Sequence, residues 1–220
     1  MFNGHPRFWG YITSSATPIG ALADFLASAI NQNTGAFILS PLATEIEAQT
    51  IRGLAELIGF PRTCGGLLVS GGNVANFVCF LAARQAKANW DIKHEGLSAN
   101  RPRLTVYVSQ ATHTWINKAS ELFGMGADSV RWIETDANQQ INIDALERQI
   151  LADRDKGVLP FMIVGTAGTV GVGAVDPLPE IAALCKQYGL WFHVNGAYGA
   201  PAACLPEVSE KYLKAARCKP

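Results

Sequence analysis

Of the 220 residues, 49% are hydrophobic and 16% charged, and 18 Lys and Arg cancel 18 Asp and Glu. That length suits one large domain or one with an appendage, and the apolar fraction excludes intrinsic disorder as the main state. The zero charge balance leaves no basic field for nucleic acid and no polybasic anchor for a membrane, so neither is an expected partner.

The first residues, MFNGHPRFWGYITSSATP, have no uninterrupted apolar stretch behind a basic start, so no secretory signal is expected and the cytoplasm is the expected compartment. Residues 18–31 place Ile19, Leu22, Phe25, Leu26 and Ile30 at three-four spacing, which predicts one helical face. A second helix is predicted from Pro41, with Ser40 as N-cap and proline at the first helical position. Its apolar line runs through Leu42, Ile46, Ile51, Leu54 and Leu57 to a stop near Gly59, Phe60 and Pro61. The run LLVSGGNVANFVCFLAARQAKANW reads as a short strand, a glycine turn and a long helix, and the polar residues 85–103 read as an exposed connection.

From Leu104 onward the rhythm is regular. LTVYVS, SVRWIE, PFMIVGTAG and LWFHVNGAYG are predicted strands, separated by the predicted helices THTWINKASELFG, IDALERQILADR and DPLPEIAALCKQYG. Strands alternating with helices of this length predict an α/β fold with a mostly parallel sheet covered on both faces. No residue between Lys156 and Asp176 is charged, a stretch long enough to cross a bilayer. Its glycines, its proline and its threonines make a poor helix, and it reads as a buried strand running into a glycine-rich loop. The five cysteines are scattered, with no Cys-x-x-Cys and no zinc-type spacing, so no metal site is expected.

Ligands of open α/β sheets gather at the carboxyl ends of the strands. Four segments fall at such predicted ends. Ser70-Gly71-Gly72-Asn73 offers close backbone approach and the free N–H groups of a helix start, either for an anion or simply for a tight turn. Ser109-Gln110-Ala111-Thr112-His113 closes the strand LTVYVS, and His113 is open to reading as a capping residue or as a catalyst. Gly165-Thr166-Ala167-Gly168-Thr169 leaves room for something to dock. His193-Val194-Asn195-Gly196-Ala197-Tyr198-Gly199 adds an amide and a phenol.

The stretches HPRFWGY (5–11), SPLATEIEAQTI (40–51), SGGNVANFVCFLAAR (70–84), YVSQATHTWINKA (107–119) and VGTAGTVGVGAVDPLPEIAALCKQYGLWFHVNGAYGA (164–200) resemble, in order, the group II pyridoxal-phosphate-dependent amino-acid decarboxylases. Together they cover most of residues 5–205. The resemblance implies the fold type I transferase large domain, pyridoxal 5'-phosphate as cofactor, an amino-acid substrate, and a homodimer or pairing with a homologue. It implies an N-terminal helical segment at 1–60, a partial cofactor-binding large domain at 61–205 incomplete at its C-terminus, and a divergent tail at 206–220.

Carried over by position, the resemblance puts the cofactor phosphate at Gly72 and Asn73, His113 on one face of the pyridine ring and Ala197 on the other. Thr166 falls beside the ring's substituents, and HPRFWGY borders the substrate's path. Where the family has an aspartate facing the ring nitrogen, this chain has Asn195, so His113 and Asn195 are the candidate catalytic positions. The family's Schiff-base lysine follows a histidine some tens of residues further on. Lys211, Lys214 and Lys219 do not follow one, and the chain alone is therefore expected to be inactive, or to serve as a non-catalytic cofactor-binding or dimerising fragment. A phosphosphingolipid-lyase relative of the same fold is a competing identity. The substrate side chain stays open.

Overall fold

The computed structural model describes residues 4–8, 17–205 and 207. The segment HPRFWGY is therefore only partly within the described residues, and the lysines of the tail lie outside them. Two compact units are present, one built from residues up to Glu56 with Arg62–Leu68, the other from Leu57–Pro61 with residues from Val69 onward.

The first unit holds two helices, α1 (Pro18–Ile30) and α2 (Pro41–Leu57). Both begin at a proline, whose fixed φ suits a first helical turn and whose missing N–H is not needed there. α1 buries no residue. The side chain of Ser40, predicted as a cap of α2, has no hydrogen-bond partner for its Oγ. Gly66 comes so close to Ile51 that a Cβ would stand 2.8 Å from Ile51 Cγ2, and Glu47 accepts the Leu68 N–H at 2.7 Å.

The second unit is a four-stranded parallel sheet in the order β2-β1-β3-β4. Its strands are β1 (Leu104–Ser109), β2 (Val130–Ile133), β3 (Leu159–Thr166) and β4 (Trp191–Asn195). β1 and nearly all of β3 are buried, which is why apolar residues dominate both without the alternation of a half-exposed strand. α3 (Gly71–Lys87) and α5 (Trp115–Leu122) cover one face, where Phe80, Trp115 and Ile116 meet Val106, Val108, Met162 and Val164. α6 (Ile143–Asp155) and α7 (Leu178–Tyr188) cover the other, where Leu146, Ile150 and Ile181 meet Tyr107 and Ile163. The α/β architecture with helices on both faces is as predicted.

Phe161 sits at a register shift, with Thr105 paired to Pro160 and Val106 to Met162. The extra residue turns its ring into the first face, edge-on to Phe80 at 5.4 Å. On the second face, Asp153, 1% exposed, accepts two bonds from Arg131, each 2.8 Å long, and one of 2.9 Å from the Tyr107 hydroxyl. That cluster clips α6 to β1 and β2.

Two local expectations fail. LLVS, predicted as a strand, is irregular backbone, with Leu67 and Leu68 exposed. Among the described residues no strand pairs with it, and an unpaired run has no ladder bonds to hold it extended. The connection 85–103 contains a short helix, α4 (Ile92–Glu95), capped by the Asp91 side chain and anchored by buried Ile92. Among the described residues no helix is long and apolar enough to cross a membrane.

Candidate functional site

β1, β3 and β4 are neighbours and end along one edge of the sheet, at Ser109, Thr166 and Asn195. A cleft of about 450 Å³ opens there, and the start of α3 forms one of its walls. Gly72, Asn73, His113, Thr166, Asn195 and Ala197 all line it. The six positions singled out in the sequence, spread over more than a hundred residues, are thus brought to one place. Ser70–Asn73 reaches it from a helix start rather than from a strand end.

Each wall has a local cause. Gly71 has φ +84, a left-handed conformation that favours glycine, and it turns the chain into α3. The first-turn N–H groups of that helix have no intrahelical acceptor. A Cβ at Gly72 would meet nothing within 4 Å, so the glycine leaves open space beside those donors. His113 is exposed and its Nδ1 accepts the Trp115 N–H at 3.2 Å. That bond fixes the ring at the start of α5 and leaves Nε2 as its protonated nitrogen when neutral.

Thr166 and Asn195 are register partners across β3 and β4. The Thr166 hydroxyl is buried and has no hydrogen-bond partner, an unusual state for a buried polar group. Its backbone N–H is held by Asp176 Oδ2 at 2.7 Å. Asn195 is half-buried, and its Oδ1 lies 3.4 Å from the Ala197 N–H. Tyr198 stands at the rim against Gly168, where a Cβ would be 2.9 Å from the phenol ring. Among the described residues, none that lines the cleft is Lys, Arg, Asp or Glu.

A buried layer under the cleft is absent from the candidates drawn from sequence. Asn76 lies one turn beyond Gly72 and donates to the Gly72 carbonyl at 2.8 Å. Its Oδ1 is 2.7 Å from Nε2 of His193. Burial pushes the His193 imidazole down to about 4, so it is neutral at ordinary pH. The signal for both was spacing: four residues on a helix and two on a strand return to the same face.

The model of the pyridoxal-dependent decarboxylase conserved domain matches residues 2–217. The chain belongs to this family. It is 40% identical over 198 residues to an aromatic-L-amino-acid decarboxylase of Bacillus atrophaeus, covering 90% of this chain and 39% of that protein. A human acidic amino acid decarboxylase is 33% identical over 198 residues, 90% of this chain and 37% of the relative. Among solved structures, mouse CSAD superposes with a TM-score of 0.89 at 31% identity, over 98% of this chain and 44% of that one. The chain therefore spans less than half the length of these relatives, one acting on aromatic and another on acidic amino acids by name.

The family's cofactor is pyridoxal 5'-phosphate, and the residues present fit it. The open space at Gly72 beside free helix N–H groups suits a phosphate. The orphaned Thr166 hydroxyl supplies a donor where nothing in the protein uses it.

Proposed function

We propose that this chain forms part of the large domain of an amino-acid decarboxylase and that the cleft holds pyridoxal 5'-phosphate without a covalent bond. The observation that carries the reading is the convergence of four separate segments on one cleft, with an unpaired buried hydroxyl at Thr166. When bound, the cofactor supplies an electron sink for the carbanion left by departing CO₂. The first turn of α3, at Gly72 and Asn73, receives the phosphate. His113 and Ala197 border the two ring faces, and Thr166 donates to a ring substituent.

Asn195 faces the ring nitrogen in this reading. Its Oδ1 is engaged by Ala197, which leaves the Nδ2 donor for a nitrogen lone pair. A donor there favours the unprotonated ring, the weaker electron sink. With no lysine among the described lining residues, this chain by itself binds cofactor and decarboxylates little. An absorbance titration with cofactor, followed by borohydride treatment and an assay of CO₂ release, tests this. Saturable binding without a borohydride-trapped lysine and without CO₂ supports the reading; no spectral change at saturation overturns it.

Dimerisation is a second property, motivated by α1. Ile19, Leu22, Phe25, Leu26 and Ile30 are all between 59% and 74% exposed, an apolar stripe that a second copy or a homologue would cover. Sedimentation equilibrium decides it, with a monomer at high concentration as the adverse result. The described cysteines Cys64, Cys79, Cys185 and Cys204 are free, in keeping with a reducing compartment such as the cytoplasm. Fluorescent tagging of the whole gene product checks that assignment.

A further inference from the structure

We infer that Asn76 and His193 are a positioning pair that orients and polarises the Gly72–Asn73 peptide, so that the Asn73 N–H becomes the principal anion donor at the start of α3. The inference rests on the reading that this turn receives the cofactor phosphate.

The direction of every hydrogen bond in the pair follows from one fact. A carbonyl oxygen can only accept, so the 2.8 Å contact on Gly72 O is made by Asn76 Nδ2. Asn76 Oδ1 is then the atom 2.7 Å from His193 Nε2, and it can only accept. His193 therefore donates through Nε2–H. The chain runs from His193 on β4, through Asn76 on α3, to the Gly72 carbonyl. Both residues are 8% exposed, and Trp115 packs edge-on against the imidazole at 5.7 Å, so water competes little for these bonds.

The Gly72 carbonyl and the Asn73 N–H share one planar peptide unit and point in opposite directions. Asn76 Nδ2 binds that carbonyl in addition to the ladder bond the helix provides. Drawing electron density toward the oxygen leaves the N–H more positive, and linked bonds reinforce one another in a low-dielectric setting. In a cleft whose described lining holds no Lys or Arg, such polarised neutral donors carry the attraction for a phosphate. The pair also ties the α3 start to the strand bearing Asn195, which sets the spacing between the phosphate donors and the ring-nitrogen partner.

The test uses the ¹⁵N-labelled chain, with the Gly72 and Asn73 amide resonances as reporters. In the ligand-free protein, His193→Phe is expected to move the Asn73 amide proton upfield, and His193→Gln, which keeps an N–H donor, to restore it. Inorganic phosphate is expected to bind about fivefold more weakly to His193→Phe than to the parent, and within about twofold of the parent to His193→Gln. An unmoved Asn73 amide in folded His193→Phe overturns the inference, as does equal loss in both variants. If neither variant folds, long-range ¹⁵N spectra of the parent decide. Protonation at Nε2 supports the chain of bonds, and protonation at Nδ1 overturns it. If phosphate leaves the parent's Gly72 and Asn73 amides unshifted, the phosphate-site reading fails, while the ligand-free amide shifts still judge the pair.

Discussion

Asp176 stands directly behind Thr166, its Oδ2 accepting the Thr166 N–H at 2.7 Å while its Oδ1 accepts the N–H of Ile141 at 2.8 Å. One buried carboxylate, 3% exposed, thereby fixes the end of β3 at the cleft floor. Asp176→Asn replaces one of those acceptors by an NH₂ group that opposes an N–H. The expected cost is about 1–3 kcal/mol of stability, measured by urea unfolding. Cofactor affinity is expected to fall with it, because the Thr166 hydroxyl loses its fixed position.

Two glycines, Gly72 in the cleft and Gly199 just beyond Tyr198, predict opposite results. Gly72→Ala meets nothing within 4 Å and replaces a poor helix former, so stability is expected to hold or rise by up to about 1 kcal/mol. Phosphate and cofactor binding are expected to drop severalfold, since the new methyl occupies the approach to the helix start. Gly199→Ala places a Cβ 2.4 Å from the Ala167 carbonyl oxygen, which is backbone and cannot swing aside. Its expected penalty is about 1–3 kcal/mol. Thermal melts paired with cofactor titrations separate the two effects.

The acid stability of the chain is predicted to depend on His193. Burial lowers its folded pKa from the usual value near 6.5 to about 4. The unfolded chain therefore binds the proton first, and the group's contribution is fully present above pH 6.5 and is lost as pH falls from there to about 4. The full loss is on the order of 3 kcal/mol. Urea unfolding across pH 4–7.5 should show that limb in the parent and a flatter one in His193→Gln; identical limbs would refute the assignment.

In the proposed binding mode, Asn195→Asp reverses the polarity offered to the ring nitrogen. A carboxylate favours the protonated ring, so cofactor affinity in this variant is expected to weaken as pH rises past the ring nitrogen's own pKa. The parent, with an amide donor at that position, is expected to show no such weakening. Absorbance titrations over that pH range distinguish the two, and equal pH dependence would remove Asn195 from the ring nitrogen.

The strands and helices from Leu104 onward were legible because their apolar periods are set by one residue's neighbours along the chain. LTVYVS became β1 residue for residue, and the stop at Gly189 is a left-handed C-cap with φ +71. LLVS misled, since three or four apolar residues look alike in a strand and in an unpaired segment. The site residues came through motif resemblance, and each belongs to a segment that is short and continuous. Asn76 and Asp176 were passed over because their partners, His193 and Thr166 with Ile141, are distant in sequence or hidden in backbone atoms.

What the sequence by itself determined is the alternation of strands and helices from Leu104 onward and the family, both of which follow from local periodicity and short motifs. The tertiary structure decided which groups are spent on one another and which are left over. Asn195 Oδ1 is taken by Ala197, Asn76 is taken by Gly72 and His193, and the Thr166 hydroxyl is buried with no partner. Hydrogen-bond satisfaction is a property of three-dimensional neighbours, so only the folded sheet, by ending β1, β3 and β4 on one edge, could place an unpartnered hydroxyl, that of Thr166, among the residues that line the cleft.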